Sequence, residues 1–321
     1  MNRITIKSCP LCGSRHLERA ITCVDHFASH EVYYLCRCRD CSFLFTQNAP
    51  AEECMDSYYE TPSYISHSNT TKGVMNSVYH LVRSYMLWSK ARLVEREAHR
   101  RTGRLLDIGA GTGYFADTMR LREWDVEAIE KNEYARTFAQ THFDLTIRPE
   151  SALGEYAPGS FDVITLWHVM EHLQHLNETW ERLHTLLTEK GTLVVAVPNC
   201  SSYDARLYGA YWAAYDVPRH LWHFTPSTIQ QLGSQHGFAL ASYWPMPMDA
   251  FYVSMLSEQH IGRSLAFLRG IKSGLQAWLH AWDDKEQSSS MIYIFRKKSA
   301  RNETVAATTS TSNDEQSPIS K

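Results

Sequence analysis

The sequence predicts an α/β protein with a mainly parallel sheet, preceded by a small cysteine-stapled domain, and three observations carry that expectation. From Leu105 onward, short apolar runs alternate with amphipathic segments. A glycine-rich loop, "GAGTG", directly follows the first of those runs. Two C-x2-C pairs lie near the N-terminus.

With 321 residues, 44% of them hydrophobic, the chain suffices for one large domain with a true core plus a small appendage. Its 32 basic and 35 acidic side chains leave a formal charge of -3, which excludes a global basic field drawing it to nucleic acid or an anionic bilayer. The opening "MNRITIKSCPLCGS" has no apolar signal segment, and no run approaches the roughly 18 apolar residues of a membrane span. A cytoplasmic location is expected.

Disulfides are rare in a reducing compartment, so the clustering of six of the eight cysteines between Cys9 and Cys41 needs another explanation. Cys9 and Cys12 in "CPLCGS", with Cys38 and Cys41 in "CRDCSF", have zinc-ribbon spacing and leave room between them for a β-hairpin. Each pair wraps one turn of backbone, so that four thiolates meet tetrahedrally at a Zn2+ about 2.3 Å from each sulfur. Residues 1–48 are therefore expected to form a zinc ribbon around a structural metal. Cys36 and Cys23 lack a comparable chelating partner, and Ser42 stands where a knuckle glycine is expected.

Residues 49–103 read as an irregular, turn-rich connector followed by a helical segment that stops at Gly103. In residues 104–298, "RLLDI", "DVEAI", "LTI", "FDVITLW" and "TLVVAV" read as strands separated by helices, and "SMIYIFRKK" as a final antiparallel strand. Residues 299–321 are polar and biased, bury too little to offset their ordering entropy, and are expected to be disordered.

In an open parallel sheet, ligands bind beyond the carboxyl ends of the strands, nearest the loop after the first one. Here that loop runs from Gly109 through Gly111 to Gly113. A dinucleotide fingerprint would need its third glycine where Tyr114 stands, and there is no Lys-Ser/Thr pair as in a phosphate-cradling loop, so neither NAD nor ATP is indicated. Asp107, the three glycines and Glu130, at the end of the second strand in "VEAIEKN", resemble class I S-adenosylmethionine-dependent methyltransferases. Bare glycines let such a loop approach the methionine part of the cofactor. The resemblance implies that Asp107 helps hold the loop and the cofactor's amino group, while Glu130 accepts hydrogen bonds from the ribose hydroxyls. "FDVITLWHVMEHL", "VPN" and "YDVPRHLWHFTPSTIQQLGSQHGF" extend the likeness to a bacterial subgroup with an N-terminal zinc ribbon, similar to the type 23 methyltransferases. It covers Cys9 to Lys298 and implies a Rossmann-like domain with a mainly parallel, seven-stranded sheet.

Methyl transfer from a sulfonium is an in-line displacement, so the acceptor must be aligned and, if it is a hydroxyl, deprotonated. Imidazole is the natural base near neutral pH. Among 16 histidines, position singles out His172, after the fourth strand, and His220 and His223 in "RHLWHFTP", ahead of a helix with Thr225 as N-cap. Each also fits a residue that merely orders its loop. A metal on the two loop histidines lacks a third ligand at a diagnostic spacing. Asp216 and Arg219 either orient a polar acceptor or pair with each other on the surface. The aromatics of "YDARLYGAYWAAYDVPRHLWHF" offer stacking faces to a sugar or flat ring, or else pack the loop. An apolar helical stripe from Ile261 to Trp282 is expected to pack as a lid or against a second subunit, with an interfacial helix near lipid-linked acceptors as the alternative.

Together these features predict an enzyme that transfers a methyl group from S-adenosylmethionine to a hydroxyl of a small polar metabolite or glycan precursor. An RNA or protein methyltransferase gripping a macromolecule with its ribbon is a second reading, disfavoured by the net charge and the missing basic arm. A non-catalytic cofactor-binding protein is a third, disfavoured by the complete glycine loop and Glu130.

Overall fold

The computed structural model describes residues 2–59 and 74–298. The connector between 60 and 73 and the tail expected to be disordered, 299–321, lie outside the described residues.

At the N-terminus, β1 (Arg3–Ile4) pairs with β5 (Ala49–Pro50), bracketing an antiparallel meander of β2 (Leu17–Val24), β3 (Val32–Cys38) and β4 (Leu44–Gln47). Helices α1 (Asp56–Tyr59) and α2 (Val74–Ala98) lead to β6 (Arg104–Ile108). Strands and helices then alternate: α3 (Tyr114–Arg120), β7 (Asp125–Ile129), α4 (Glu133–Phe143), β8 (Phe161–Trp167), α5 (Leu176–Leu186) and β9 (Leu187–Pro198). After α6 (Tyr203–Tyr208) come β10 (Trp222–His223), α7 (Pro226–Gln235) and β11 (Phe238–Pro245). The pair α8 (Asp249–Ile261) and α9 (Ala266–Asp283) precedes β12 (Ser290–Lys297).

The large sheet has the order β11-β12-β9-β8-β6-β7, with β12 antiparallel to both neighbours and the other strands aligned. The chain leaves β6 for β7 on one side and returns to β8 on the other, so the strand order reverses around β6 and opens a crevice at its carboxyl end. Six strands are found among the described residues rather than the seven expected. The "LTI" segment contributes one parallel bridge between Ile129 and Arg148, and Pro149, which has no N–H, follows at once and cannot extend the ladder.

Period-two alternation divides the core between the two faces of the sheet. Leu105, Val163, Val194 and Ile292 pack with Ala91 and Val94 of α2 and with Phe115 and Met119 of α3. On the other face, Leu106, Ile164, Leu193, Val195 and Phe295 meet Trp180 and Leu183 of α5 and Ile229 and Leu232 of α7.

That second core also contains Cys9, Leu11, Cys38, Phe43 and Phe45, so the N-terminal unit is a fused layer rather than an appendage. Strand β10, from the far end of the chain, adds antiparallel to β4 and makes the meander a four-stranded sheet. In α9 the small residues Gly270, Ser273, Gly274 and Ala277 are buried, and α9 packs on α8. The large apolar side chains Leu268, Ile271, Leu275, Leu279 and Trp282 are exposed. Among the described residues, no helix is long and apolar enough to cross a membrane.

Candidate active site

The loop after β6 is tied down mainly by backbone groups. The N–H groups of Gly109 and Ala110 both donate to the Ile129 carbonyl at 2.8 and 3.0 Å, fastening the loop to the end of β7. Glu130 continues the attachment: its Oε2 accepts the Gly111 N–H at 2.8 Å and its Oε1 accepts the Asn132 N–H at 2.8 Å. Gly109 and Gly111 have φ of +69° and +54°, the left-handed region that side chains resist. Their surroundings differ. A Cβ on Gly109 would stand 2.3 Å from Val169 Cγ2, whereas one on Gly111 would meet nothing within 4 Å. Open space for an approaching ligand therefore lies on the Gly111 side, while Gly109 is bare to make room for the protein's own segment after β8.

Asp107 is buried on β6 directly beside Thr165 of β8, whose Oγ1 donates to Asp107 Oδ1 at 2.6 Å. Burial pushes the carboxyl up to about 7, against the opposing pull of the Thr165 hydroxyl and of Lys90. The Lys90 ammonium sits 4.4 Å over the Trp167 ring.

Immediately beyond β8 lies a cluster of ionisable groups. His168, in a left-handed conformation with φ 58°, lies between two carboxylates: Nε2 is 3.2 Å from Asp249 Oδ2, and Nδ1 is 3.4 Å from Glu171 Oε1. Burial alone would lower its pKa, but Asp249 and Glu171 raise it to about 9, so the ring is an imidazolium at neutral pH. Glu171 is wholly buried. Next to it, the His172 and His220 rings meet edge to face with centroids 4.5 Å apart. His172 Nδ1 is 3.1 Å from the Arg219 carbonyl and 3.1 Å from the Tyr59 hydroxyl, and His220 Nδ1 is 2.8 Å from the Ala214 carbonyl. A carbonyl oxygen only accepts, so Nδ1 of each ring carries a proton, and His220 Nε2 lies 3.8 Å from Asp216 Oδ2. Burial and the neighbouring His220 push His172 down to about 4.

The three histidines singled out by sequence thus separate. His172 and His220 come together, but His223 is buried on β10, where its Nε2 donates to Thr46 Oγ1 of β4 at 3.0 Å while that hydroxyl donates to the His220 carbonyl at 2.6 Å. Its polar group is engaged across the seam with the N-terminal unit. Arg219 and Asp216 do pair, at 2.5 Å, though not on the surface: Arg219 is fully buried and reaches Asp25 of the N-terminal unit at 3.0 Å. The aromatic run packs its own loop, with Tyr208, Trp212 and Tyr215 buried against Tyr33 and Leu35. Sequence reasoning passed over His168, Glu171 and Asp249. The first two sit three residues apart in "HVMEH", but nothing in the sequence ties Asp249 to them.

At the N-terminus, the sulfurs of Cys9, Cys12, Cys38 and Cys41 all lie within 4.8 Å of one another. Cys9 and Cys41 are 3.5 Å apart, as are Cys12 and Cys38. Four sulfurs about 2.3 Å from one zinc ion would be separated by about 3.8 Å, so the donor set fits that metal. Gly13 and Ser42 hold the left-handed position of the two knuckles with φ of 74° and 64°. Their N–H groups bond the Cys9 and Cys38 carbonyls, each at the start of its turn.

A family model described as a methyltransferase domain matches residues 81–243. The ubiquinone biosynthesis O-methyltransferase of Paraburkholderia phymatum is 27% identical over 139 residues, covering 40% of this chain and 60% of that protein. Its counterpart from a Caulobacter species is 33% identical over 117 residues, covering 33% of this chain and 46% of that protein. The chain therefore spans 60% or less of the length of these two relatives. Among solved structures, a putative sarcosine dimethylglycine methyltransferase from Galdieria sulphuraria superposes with a TM-score of 0.48 at 14% identity, covering 68% of this chain and 86% of that one. The 1,6-didemethyltoxoflavin-N1-methyltransferase of Burkholderia thailandensis gives 0.46 at 15% identity, covering 81% and 98%.

Proposed function

The chain belongs to the methyltransferase-domain family, and from that premise we propose that this class I S-adenosylmethionine-dependent enzyme methylates a hydroxyl oxygen of a small polar acceptor, a metabolite or a glycan precursor. One observation carries the reading. Gly109 abuts Val169, and Val169 lies between His168 and Glu171, so the cofactor loop and the ionisable cluster share one wall. The cofactor supplies an electrophilic methyl group on a sulfonium. Glu130 keeps a free lone pair on each oxygen for the ribose hydroxyls, and Asp107 and the open side of Gly111 receive the amino-acid end. Across Val169, the cluster of Glu171, His172 and His220 faces the acceptor and takes up the proton of its hydroxyl, and the His168 imidazolium fixes the two carboxylates around it. The relatives' names specify O-methylation, which favours oxygen as the atom methylated.

We also assign Cys9, Cys12, Cys38 and Cys41 to a structural Zn2+, residues 1–48 to the ribbon it staples, and residues 104–298 to the methyltransferase domain. Incubation of the protein with methyl-labelled S-adenosylmethionine and cell extract, followed by separation of small molecules, lipids, glycans, RNA and protein, tests the function. Label is expected in a small-molecule or glycan fraction, bound through oxygen. Label confined to RNA or protein, or cofactor binding with no label in any fraction, would overturn it.

A further inference from the structure

Glu171 is fully buried, its Oε1 faces the His168 ring at 3.4 Å, and among the described residues neither of its oxygens has a well-formed hydrogen bond. A buried carboxylate with one long ion pair and a second oxygen left without a donor is costly, and such groups are normally fully hydrogen-bonded or bound to a cation. The nearest ionisable group, His168, approaches one oxygen at 3.4 Å but makes its closer contact with Asp249. What surrounds Glu171 instead is a donor set: a carboxylate oxygen of Glu171 and one ring nitrogen each from His172 and His220 all lie within 4.8 Å of one another. The two imidazoles are arranged as metal ligands usually are, with Nδ1–H of each given to a backbone carbonyl, which fixes the tautomer and leaves Nε2 as the donor.

We infer that Glu171, His172 and His220 form a second metal site, for a divalent cation of the zinc class, separate from the four cysteines. Two imidazole nitrogens and one carboxylate oxygen suit a borderline-soft first-row ion, and three protein ligands leave a tetrahedral ion one open position. Because Val169 joins this cluster to the cofactor loop, the open position suits an oxygen of the acceptor. The inference therefore rests on the proposed reaction for its biological meaning, though not for its test.

The test is metal content. Protein equilibrated with excess Zn2+ and freed of loosely held ion on a desalting column is expected to carry two zinc ions per chain. Glu171→Gln, His172→Ala and His220→Ala are each expected to carry one, with thermal unfolding used to verify that the variants are folded. Cobalt supplies a second reading: a nitrogen and oxygen site absorbs weakly in the visible, apart from the intense thiolate bands, and that weak absorption is expected to vanish in His220→Ala while the thiolate bands persist. A wild-type protein that retains a single zinc, or variants that keep the second, would overturn the site. A wild-type protein that retains a single zinc yet transfers methyl to oxygen would sink this inference and leave the proposed reaction standing. Two metals with no transfer to any acceptor would do the reverse.

Discussion

Nearly every group that shapes the glycine loop comes from one stretch, residues 107–132, and most of its bonds are to backbone. Across Val169, the groups on the acceptor side come from residues 168–172, from the loop at 214–220 and from Asp249, and that loop is in turn held by Asp25 of the N-terminal unit. The first half is short-range and, in the proposed reaction, serves the methyl donor, the part of the substrate pair that does not vary. The second is long-range and depends on how separate layers of the molecule pack, which leaves it free to vary with the acceptor.

If the acceptor side depends on that packing, removing its clamp should have the largest effect. Arg219→Ala leaves the buried Asp25 and the partly buried Asp216 without their shared cation and should cost about 3–5 kcal/mol in urea unfolding. A cost below about 1 kcal/mol would mean the two units are held together elsewhere. The clamp also has a pH signature. Burial pushes the Asp25 carboxyl up, but the Arg219 guanidinium and the N–H groups of Ser29 and Phe27 bring it, on balance, below its ordinary value. A folded pKa lower than the unfolded one gives stability that is complete above the ordinary carboxylate range and lost as pH falls through the folded value. Unfolding free energy should accordingly decline below about pH 4 in the wild type, and Arg219→Ala should flatten that decline.

The cofactor half should break at single positions. Gly109→Ala adds a Cβ that collides with Val169 as well as forcing a left-handed backbone, and should destabilise the protein by about 2–4 kcal/mol while abolishing measurable S-adenosylhomocysteine binding. Gly111→Ala has only the backbone cost of about 1–2 kcal/mol, because its Cβ meets open space. Equal losses at the two positions would contradict the asymmetry of the loop. Glu130→Ala should weaken S-adenosylhomocysteine binding by about 1.5–3 kcal/mol in calorimetry, since it removes a charged acceptor. Binding that is unchanged would place the ribose elsewhere.

The smallest effect sharpens the boundary between the halves. His223→Gln should reduce stability by about 0.5–1.5 kcal/mol through its bond to Thr46 and leave turnover of the folded enzyme intact. Turnover that falls at unchanged stability would return His223 to the acceptor side.

Sequence patterning anticipated much of this fold because its signals are local. Strand alternation, the Thr225 cap with Pro226 behind it, and the C-x2-C knuckles each act over a few residues, and each appears in the structure. The seventh strand reduces to one bridge because Leu145, Thr146 and Ile147 alternate as a strand would, but Pro149 follows too soon to extend the ladder. The outward stripe of α9 resembles a core face by periodicity alone, yet the residues that contact α8 are the small ones, which periodic hydrophobicity underweights.

Residues 107–130 by themselves determined the geometry of the proposed cofactor side: a glycine loop behind a buried strand and a carboxylate at the next strand's end are fixed by bonds between near neighbours. Cys9, Cys12, Cys38 and Cys41 likewise announce a tetrahedral thiolate site, because chelation by paired knuckles is a property of spacing. Only the tertiary structure decided that His220 joins His172 and Glu171 while His223, three residues on, turns into the seam with the N-terminal unit. His223 belongs to β10, and the pairing of β10 with β4, some 180 residues earlier in the chain, sets it against Thr46, whereas His220 precedes that strand in the loop; no local signal specifies a pairing between segments so far apart.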